Sequence, residues 1–448
     1  MTGLKELQHI HKKTPSGIDV FVLDKGECIN SEAEAMLQAL HSRSTWGLEA
    51  HLQVLADKWA DNFMSKFYVW YGHKSIGDCG SITLFIEGVS MLWAKAIQDS
   101  KLYNWQEAST RYVDFSKQAI INPLWTDTGN ELLEKQRTFY LSLFGPIKTH
   151  IQQLHPNASP QDEKLYEKTI SAKVFDIARW FLPAGCSTNL ARHTSLRQVA
   201  DRVLRLRNHP LEEVREVGIA VEKAVLEKYP NSFSTKRYEE TEQFTSLSSQ
   251  RYYFFKQLAE TFQVIHDTID TQELQHMKSL FDARPNNKTE LPTYLDLLWT
   301  ITYNYILDFG SFRDVQRHRA PYQRMPLLTT KLWFNKRYLE SLPEDAQHLA
   351  IQHLQEVEDS LHHLDANPEI LQYYTPMWFN LSCQMMGTLP ALVYLVELRS
   401  TTYVHPTLRQ VAIKIGEYLE QKHHLKLFLD KSPDLLDLRR WKHDIEIK

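Results

Sequence analysis

Glycine is scarce in this 448-residue chain, 15 in all, which argues against a fold of many tight β-turns and for one rich in helix. Cysteine is scarcer. Cys28, Cys79, Cys186 and Cys383 lie far apart and form no Cys-x-x-Cys pair, so they read as free thiols in a reducing cytoplasm rather than as a disulfide framework. There is no Gly-x-Gly-x-x-Gly and no Walker loop, which removes the usual glycine cradles for dinucleotides and triphosphates. Apolar runs are broken by charge before they reach bilayer length, and the opening Met1-Thr2-Gly3-Leu4-Lys5-Glu6 lacks the apolar run of a signal peptide. Soluble and cytoplasmic is the expectation, with no membrane partner. Charge of one sign is also missing: 51 Lys and Arg stand against 55 Asp and Glu, a net -4, so no nucleic-acid partner is predicted. The 20 histidines include the neighbours His362/His363 and His423/His424, but adjacent helical side chains diverge by about 100°. No His has a Glu or Cys at a recognisable ligand spacing, and no metal site is predicted.

Hydrophobic residues make up 43% of the chain and charged residues 24%, a composition that supports two or three domains with a sizeable core. Residues 18–24 (Ile-Asp-Val-Phe-Val-Leu-Asp) predict a strand. Ser31 and Glu34 are spaced as a capping box ahead of a helix, and Leu52, Leu55, Trp59, Phe63 and Phe67 step like a second amphipathic helix. After the polar turn Gly72-His73-Lys74-Ser75, residues 82–90 predict a buried strand and 91–97 a helix. Ser159-Pro160 opens another helix, with Ser159 as its N-cap, and 254–281 carries a helical pattern. In Arg317-His318-Arg319 two guanidiniums flank an imidazole at the expected end of an amphipathic helix, just before Pro321. Such a cluster suits phosphates or an anionic heterocycle, and it equally suits a solvated basic corner.

The Gly-His-x-Ser turn at 72–75, Ile86-Glu87-Gly88-Val89-Ser90 and Ser109-Thr110-Arg111-Tyr112-Val113 resemble the flavin-dependent thymidylate synthases in order and spacing. Ala178-Arg179-Trp180-Phe181-Leu182-Pro183 resembles that family's Ala-Arg-x-x-Leu-Pro, and Leu204-Arg205-Leu206-Arg207 its Leu-x-Leu-Arg. Arg197 stands at the end of the family's Asn-x-Arg, with Ser195 in place of Asn; Arg197, Asp201 and Arg205 also suit a surface ion-pair ladder. The family's Arg-His-Arg, seven residues before Ser109, falls here on Asp99-Ser100-Lys101 and is lost, but it stands intact at 317–319. The two slots are 218 positions apart. Gln372 and Pro390 replace Arg179 and Arg197 at an offset of 193, and Leu398-Arg399 repeats Leu206-Arg207. Such offsets are the mark of an internal duplication.

The resemblance implies a helix-rich α+β fold of two tandem, diverged copies packed as a pseudo-dimer: 1–230, a linker at 231–250, and 251–448. It implies an FAD-dependent enzyme that methylates C5 of a uracil nucleotide (dUMP or a relative), with methylenetetrahydrofolate and NADPH as co-substrates. By the same resemblance Arg207, or Arg205, is the catalytic arginine; Ser109, Arg111 and Arg179 hold the nucleotide. His73, Ser75, Arg197, Arg317, His318 and Arg319 contact the flavin. A homodimer with one flavin per chain is expected. The degraded slots leave a second reading, a repurposed homologue that binds flavin, nucleotide or a protein partner without catalysis.

Overall fold

The computed structural model describes residues 9–23, 31–42, 52–53, 74–108, 115–157, 163–253, 261–286, 289–402 and 404–433. They form an α+β protein of two compact units: Met1–Ala108, Ala119–Ile121 and Cys186–Tyr252 make the first, and Ser109–Gln118, Asn122–Gly185 and Tyr253–Lys448 the second. These spatial units cut the chain differently from the sequential blocks 1–230 and 251–448.

The first unit holds an antiparallel five-stranded sheet: β1 (His9–Lys13), β2 (Asp19–Leu23), β3 (Ser81–Ser90), β4 (Asn104–Glu107) and β5 (Ser187–Ser195), in the order β1-β2-β3-β5-β4. Alternation buries Ile82, Leu84 and Ile86 of β3 and Val20 and Val22 of β2 on one face. Near its end β3 slips by one residue between Ile86 and Val89, and Gly88 there has φ +74°, a left-handed conformation that a side chain would disfavour. Helix Met91–Gln98 follows directly, capped by the Ser90 hydroxyl, which accepts from Trp93 N–H. Helices Leu196–Arg207 and Glu212–Lys228 follow β5.

The second unit holds an antiparallel four-stranded sheet: β6 (Gln263–Asp267), β7 (Thr300–Asp308), β8 (Tyr322–Arg324) and β9 (Asn380–Thr388), in the order β6-β7-β9-β8. This is the order β2-β3-β5-β4 over again, and the registers correspond. Ser90 faces Ser187 as Asp308 faces Asn380, and Asn104 faces His193 as Tyr322 faces Met386. Each pair keeps the offsets of 218 and 193 positions. Helix Phe309–Val315 follows β7, and helices Leu389–Arg399 and Pro406–His423 follow β9.

The two strand ends are tied down by the same chemistry with the groups exchanged. In the first unit Glu213 accepts from the Ser90 N–H at 2.7 Å and its hydroxyl at 2.5 Å. In the second the carboxylate belongs to the strand: Asp308 accepts from the Thr407 hydroxyl at 3.0 Å, the Tyr338 hydroxyl at 2.5 Å and the Ser311 N–H at 2.8 Å. Burial pushes the Asp308 carboxyl above its ordinary value despite these donors.

Three expectations need correction. Residues 263–267, inside the expected helical run 254–281, form β6, because Gln263, the β-branched Val264, His266 and Asp267 pair against β7, with Ile265 left out at a bulge. Ser31 is the first residue of helix Ser31–His41 rather than its cap, and its hydroxyl donates to Ser81 O at 2.5 Å. The 317–319 cluster is only partly exposed: Arg317 and Arg319 face out but His318 is buried. The Ser159 N-cap and nearly all of the helix expected around 52–67 lie outside the described residues.

Candidate functional site

Asp308 ends β7 and caps helix Phe309–Val315, and the chain then turns through Gln316 into Arg317-His318-Arg319. The turn is held from within: Gln323 on β8 donates its amide to Val315 O at 3.0 Å and His318 O at 2.9 Å. It is held from outside by Arg399, whose Nε donates to His318 Nε2 at 2.6 Å and whose Nη2 donates to Asp314 O at 3.1 Å. Burial first, and the Arg399 charge second, push the His318 imidazole down to about 3, with Asp314 opposing. Arg317 stands 3.6 Å from Asp314 and half exposed. His318 is therefore a neutral side chain between two cationic ones. Its Nδ1 makes no hydrogen bond among the described residues, although the residue is only 9% exposed. That nitrogen is not among the sealed, unpaired side-chain atoms of the interior, so it is open to solvent or to a ligand's polar atom.

The matching turn of the first unit is built for the opposite purpose. Arg192 of β5 donates to Ile97 O at 3.0 Å and to the Ser100 hydroxyl at 3.2 Å, with its guanidinium 4.6 Å from the centre of the Tyr103 ring. Arg202, on the helix after β5, donates to Asp99 O at 3.0 Å, and Lys95 pairs with Asp99 at 2.8 Å. Burial, with Arg202 as neighbour, lowers Arg192 to about 9. These cations close the carbonyl end of helix Met91–Gln98, where positive charge is favoured. The lost Arg-His-Arg is thus replaced in space by two arginines reaching in from other elements. At the offset of 193 positions, Met385 and Leu395 stand where Arg192 and Arg202 do.

Arg179 opens a 3-10 turn, Arg179–Phe181, in the second unit, the unit that holds the 317–319 cluster. It pairs with Asp176 at 2.7 Å, its guanidinium is 5.9 Å from the Trp378 ring centre, and its carbonyl accepts from Trp378 Nε1 at 3.3 Å. Trp180 beside it packs on Tyr338, Trp378 and His405. At the corresponding turn Gln372–Tyr374 the Gln372 side chain is fully buried. Its Oε1 accepts from the N–H of Leu328 at 3.0 Å, so Gln372 is tied to the segment 327–329 that stands in the degraded Ser-x-Arg slot. The segments after the two turns pair with each other: Ala184 N–H donates to Thr375 O at 2.9 Å, Met377 N–H to Leu182 O at 3.1 Å, and Pro183 lies opposite Pro376.

In the first unit Arg197 donates to Asp78 at 2.7 Å, while its ladder partner Asp201 stands at 3.9 Å. Arg207 is engaged by two carboxylates, Glu222 at 2.8 Å and both oxygens of Glu242, and that contact holds Glu242 below the usual carboxylate range. Arg205, the alternative to Arg207, faces solvent. Ser75 is exposed on the short helix Lys74–Gly77. His73, Ser109 and Arg111 lie outside the described residues. Among the described residues no group of three His, Cys, Asp or Glu is placed to hold a metal. Arg399, Arg192 and Arg202 were not among the expected site residues. Arg399 carried a signal, since Leu398-Arg399 reads like Leu206-Arg207, but Arg192 and Arg202 match no motif.

Comparison with known proteins bears out the resemblance over part of the chain. The family of thymidylate synthase complementing proteins matches residues 29–231. A UPF0159 protein of Chlamydia muridarum is 24% identical over 411 residues, covering 79% of this chain and 77% of its own. A UPF0159 protein of Thermoplasma acidophilum is 21% identical over 443 residues, covering 82% of this chain and 87% of its own.

Proposed function

With residues 29–231 in the thymidylate synthase complementing family, we propose that the chain is a flavin-dependent enzyme that methylates C5 of a uracil nucleotide, dUMP or a close relative. FAD would be the bound cofactor, supplying hydride, with methylenetetrahydrofolate and NADPH as co-substrates. The observation that carries the reading is the ordered Arg317-His318-Arg319 turn, with its open His318 Nδ1, in the same unit as Arg179. Arg317, His318 and Arg319 would hold the flavin, with His73, Ser75 and Arg197 as further contacts by resemblance. Arg179, Ser109 and Arg111 would orient the nucleotide, and Arg207 would stabilise negative charge on the uracil ring. For that Arg207 must leave Glu222 and Glu242.

The repeated strand order and the two constant offsets support two tandem copies, 1–230 and 251–448 joined by 231–250. The reciprocal pairing of Leu182-Pro183-Ala184 with Thr375-Pro376-Met377 supports a local two-fold relation between them, the hallmark of a fused pseudo-dimer. Gln372, sealed against Leu328, supports one working nucleotide site per chain. The assembly would be a homodimer, located in the cytoplasm.

Reconstitution with FAD tests the reading: a yellow protein that converts dUMP to dTMP with methylenetetrahydrofolate and NADPH is expected, and a colourless, inactive one refutes it. A second reading has its own observation. The arginines of both Leu-x-Leu-Arg slots, Arg207 and Arg399, are engaged by protein groups, which favours a repurposed homologue that binds without catalysis. Stoichiometric flavin with no turnover is the result that selects it.

A further inference from the structure

The Arg399 guanidinium has only donors, and it is protonated at neutral pH. Arg399 Nε lies 2.6 Å from His318 Nε2, so that ring nitrogen must accept, and the ring proton must sit on Nδ1. We propose that Arg399 is a positioning residue that locks His318 as the neutral Nδ1–H tautomer, so that the 317–319 turn offers its ligand one neutral N–H donor between two guanidiniums. The ligand's identity as FAD rests on the function proposed above; the lock itself does not.

Each group facing the ring acts in a definite direction. From helix Leu389–Arg399 come Arg399 itself and the Tyr394 ring, 6.2 Å away. From helix Phe309–Val315 comes Asp314, whose carboxylate favours a protonated ring; Arg317 and Arg319, its neighbours in the turn, face outward. Burial and Arg399 prevail over Asp314 and hold the ring neutral down to about pH 3. The second bond of Arg399, from Nη2 to Asp314 O, fixes the guanidinium against the turn. The arrangement also separates the two copies functionally. The arginine repeated as Arg207 is held by Glu222 and Glu242, whereas Arg399 is turned onto the histidine of its own copy.

The lock is read in full-length protein labelled with ¹⁵N at histidine, with His318 assigned by loss of its signals in His318→Gln. Wild type is expected to show a neutral Nδ1–H ring, unchanged between about pH 5 and pH 8. Arg399→Met should raise the ring's titration above the wild-type value, with burial still holding it below that of an ordinary histidine, and mix the tautomers, whereas Arg399→Lys, which keeps a donor, should restore part of the neutral signature. A wild-type ring that is Nε2–H or doubly protonated at pH 7 overturns the proposal, as does an Arg399→Met ring indistinguishable from wild type. If Arg399→Met does not fold, the wild-type spectrum and Arg399→Lys still decide. FAD affinity is the second readout: flat over the same pH range in wild type, with a step near the new titration in Arg399→Met. Wild-type protein that shows the locked ring but binds no FAD supports the lock and overturns the flavin reading instead.

Discussion

Asp267, the last residue of β6, gives the sharpest test of how this fold uses buried charge. Its carboxylate is 6% exposed. Oδ2 accepts from Tyr418 at 2.6 Å, His423 Nε2 at 2.8 Å and Lys422 at 3.0 Å, and Oδ1 accepts from Ile269 N–H at 2.9 Å. Burial alone would raise its pKa, but the four donors outweigh burial and bring it down to about 2 from 3.8. At about 1.4 kcal/mol per pKa unit, that fall corresponds to about 2.5 kcal/mol at neutral pH. The sign follows from the direction: a depressed carboxylate stabilises above its unfolded value and loses that stability as pH falls from about 4 to about 2. Asp267→Asn removes the charge and points an amide toward Lys422 and the buried His423. We expect it to destabilise the contact between β6 and helix Pro406–His423 by roughly 2–3 kcal/mol at pH 7, and by roughly half as much at pH 3. Amide hydrogen exchange in β6 and in the last turn of that helix, corrected for intrinsic rates, reads the local opening free energy. Opening energies within about 0.5 kcal/mol of wild type at pH 7, or a difference that does not shrink in acid, would refute this account.

Arg284 and Glu397 form a buried pair, 2.9 Å in its longer contact, and Arg284→Met, which leaves the carboxylate alone, should cost about 3–5 kcal/mol in chemical denaturation. The exchanged pairs Ser90/Glu213 and Asp308/Thr407 predict that Asp308→Ser and Thr407→Glu are each destabilising, and that the double variant, which recreates the first unit's arrangement, recovers at least about 1 kcal/mol in a double-mutant cycle. Arg319→Ala should weaken FAD binding by about 1.5–3 kcal/mol, measured by fluorescence titration; an unchanged affinity would make the turn a solvated corner.

Much of this arrangement was legible because motifs and strands obey short-range rules. The run from Ile82 to Ser90 alternates and then meets a helix-forming stretch, and the structure puts β3 and helix Met91–Gln98 there. The offsets of 218 and 193, read from degraded motifs, recur in strand register because β-pairing fixes residues one against one. The short β6 was missed because its strand character depends on a partner, β7, supplied from more than thirty residues downstream. The setting of the candidate site was hidden for the same reason. Whether Arg207 points at a ligand or at Glu242, and whether His318 is a cation or a neutral donor, depends on side chains 35 and 81 residues away. Motif spacing carries no information about such partners.

The division of the chain between its two units has a consequence for biosynthesis. When residue 252 leaves the ribosome, every strand of the first sheet has been made, including β5 at 187–195. The helices within 122–185 are also complete, but they belong to a unit whose sheet is still untranslated. Trp180 must wait for Tyr338, Trp378 and His405, and the Leu182 carbonyl for Met377. A nascent chain of this length therefore carries an orphaned apolar segment at its middle, not at its growing end. Expression of residues 1–252 alone would strand that segment permanently, because the two units do not divide the chain into a first and a second half.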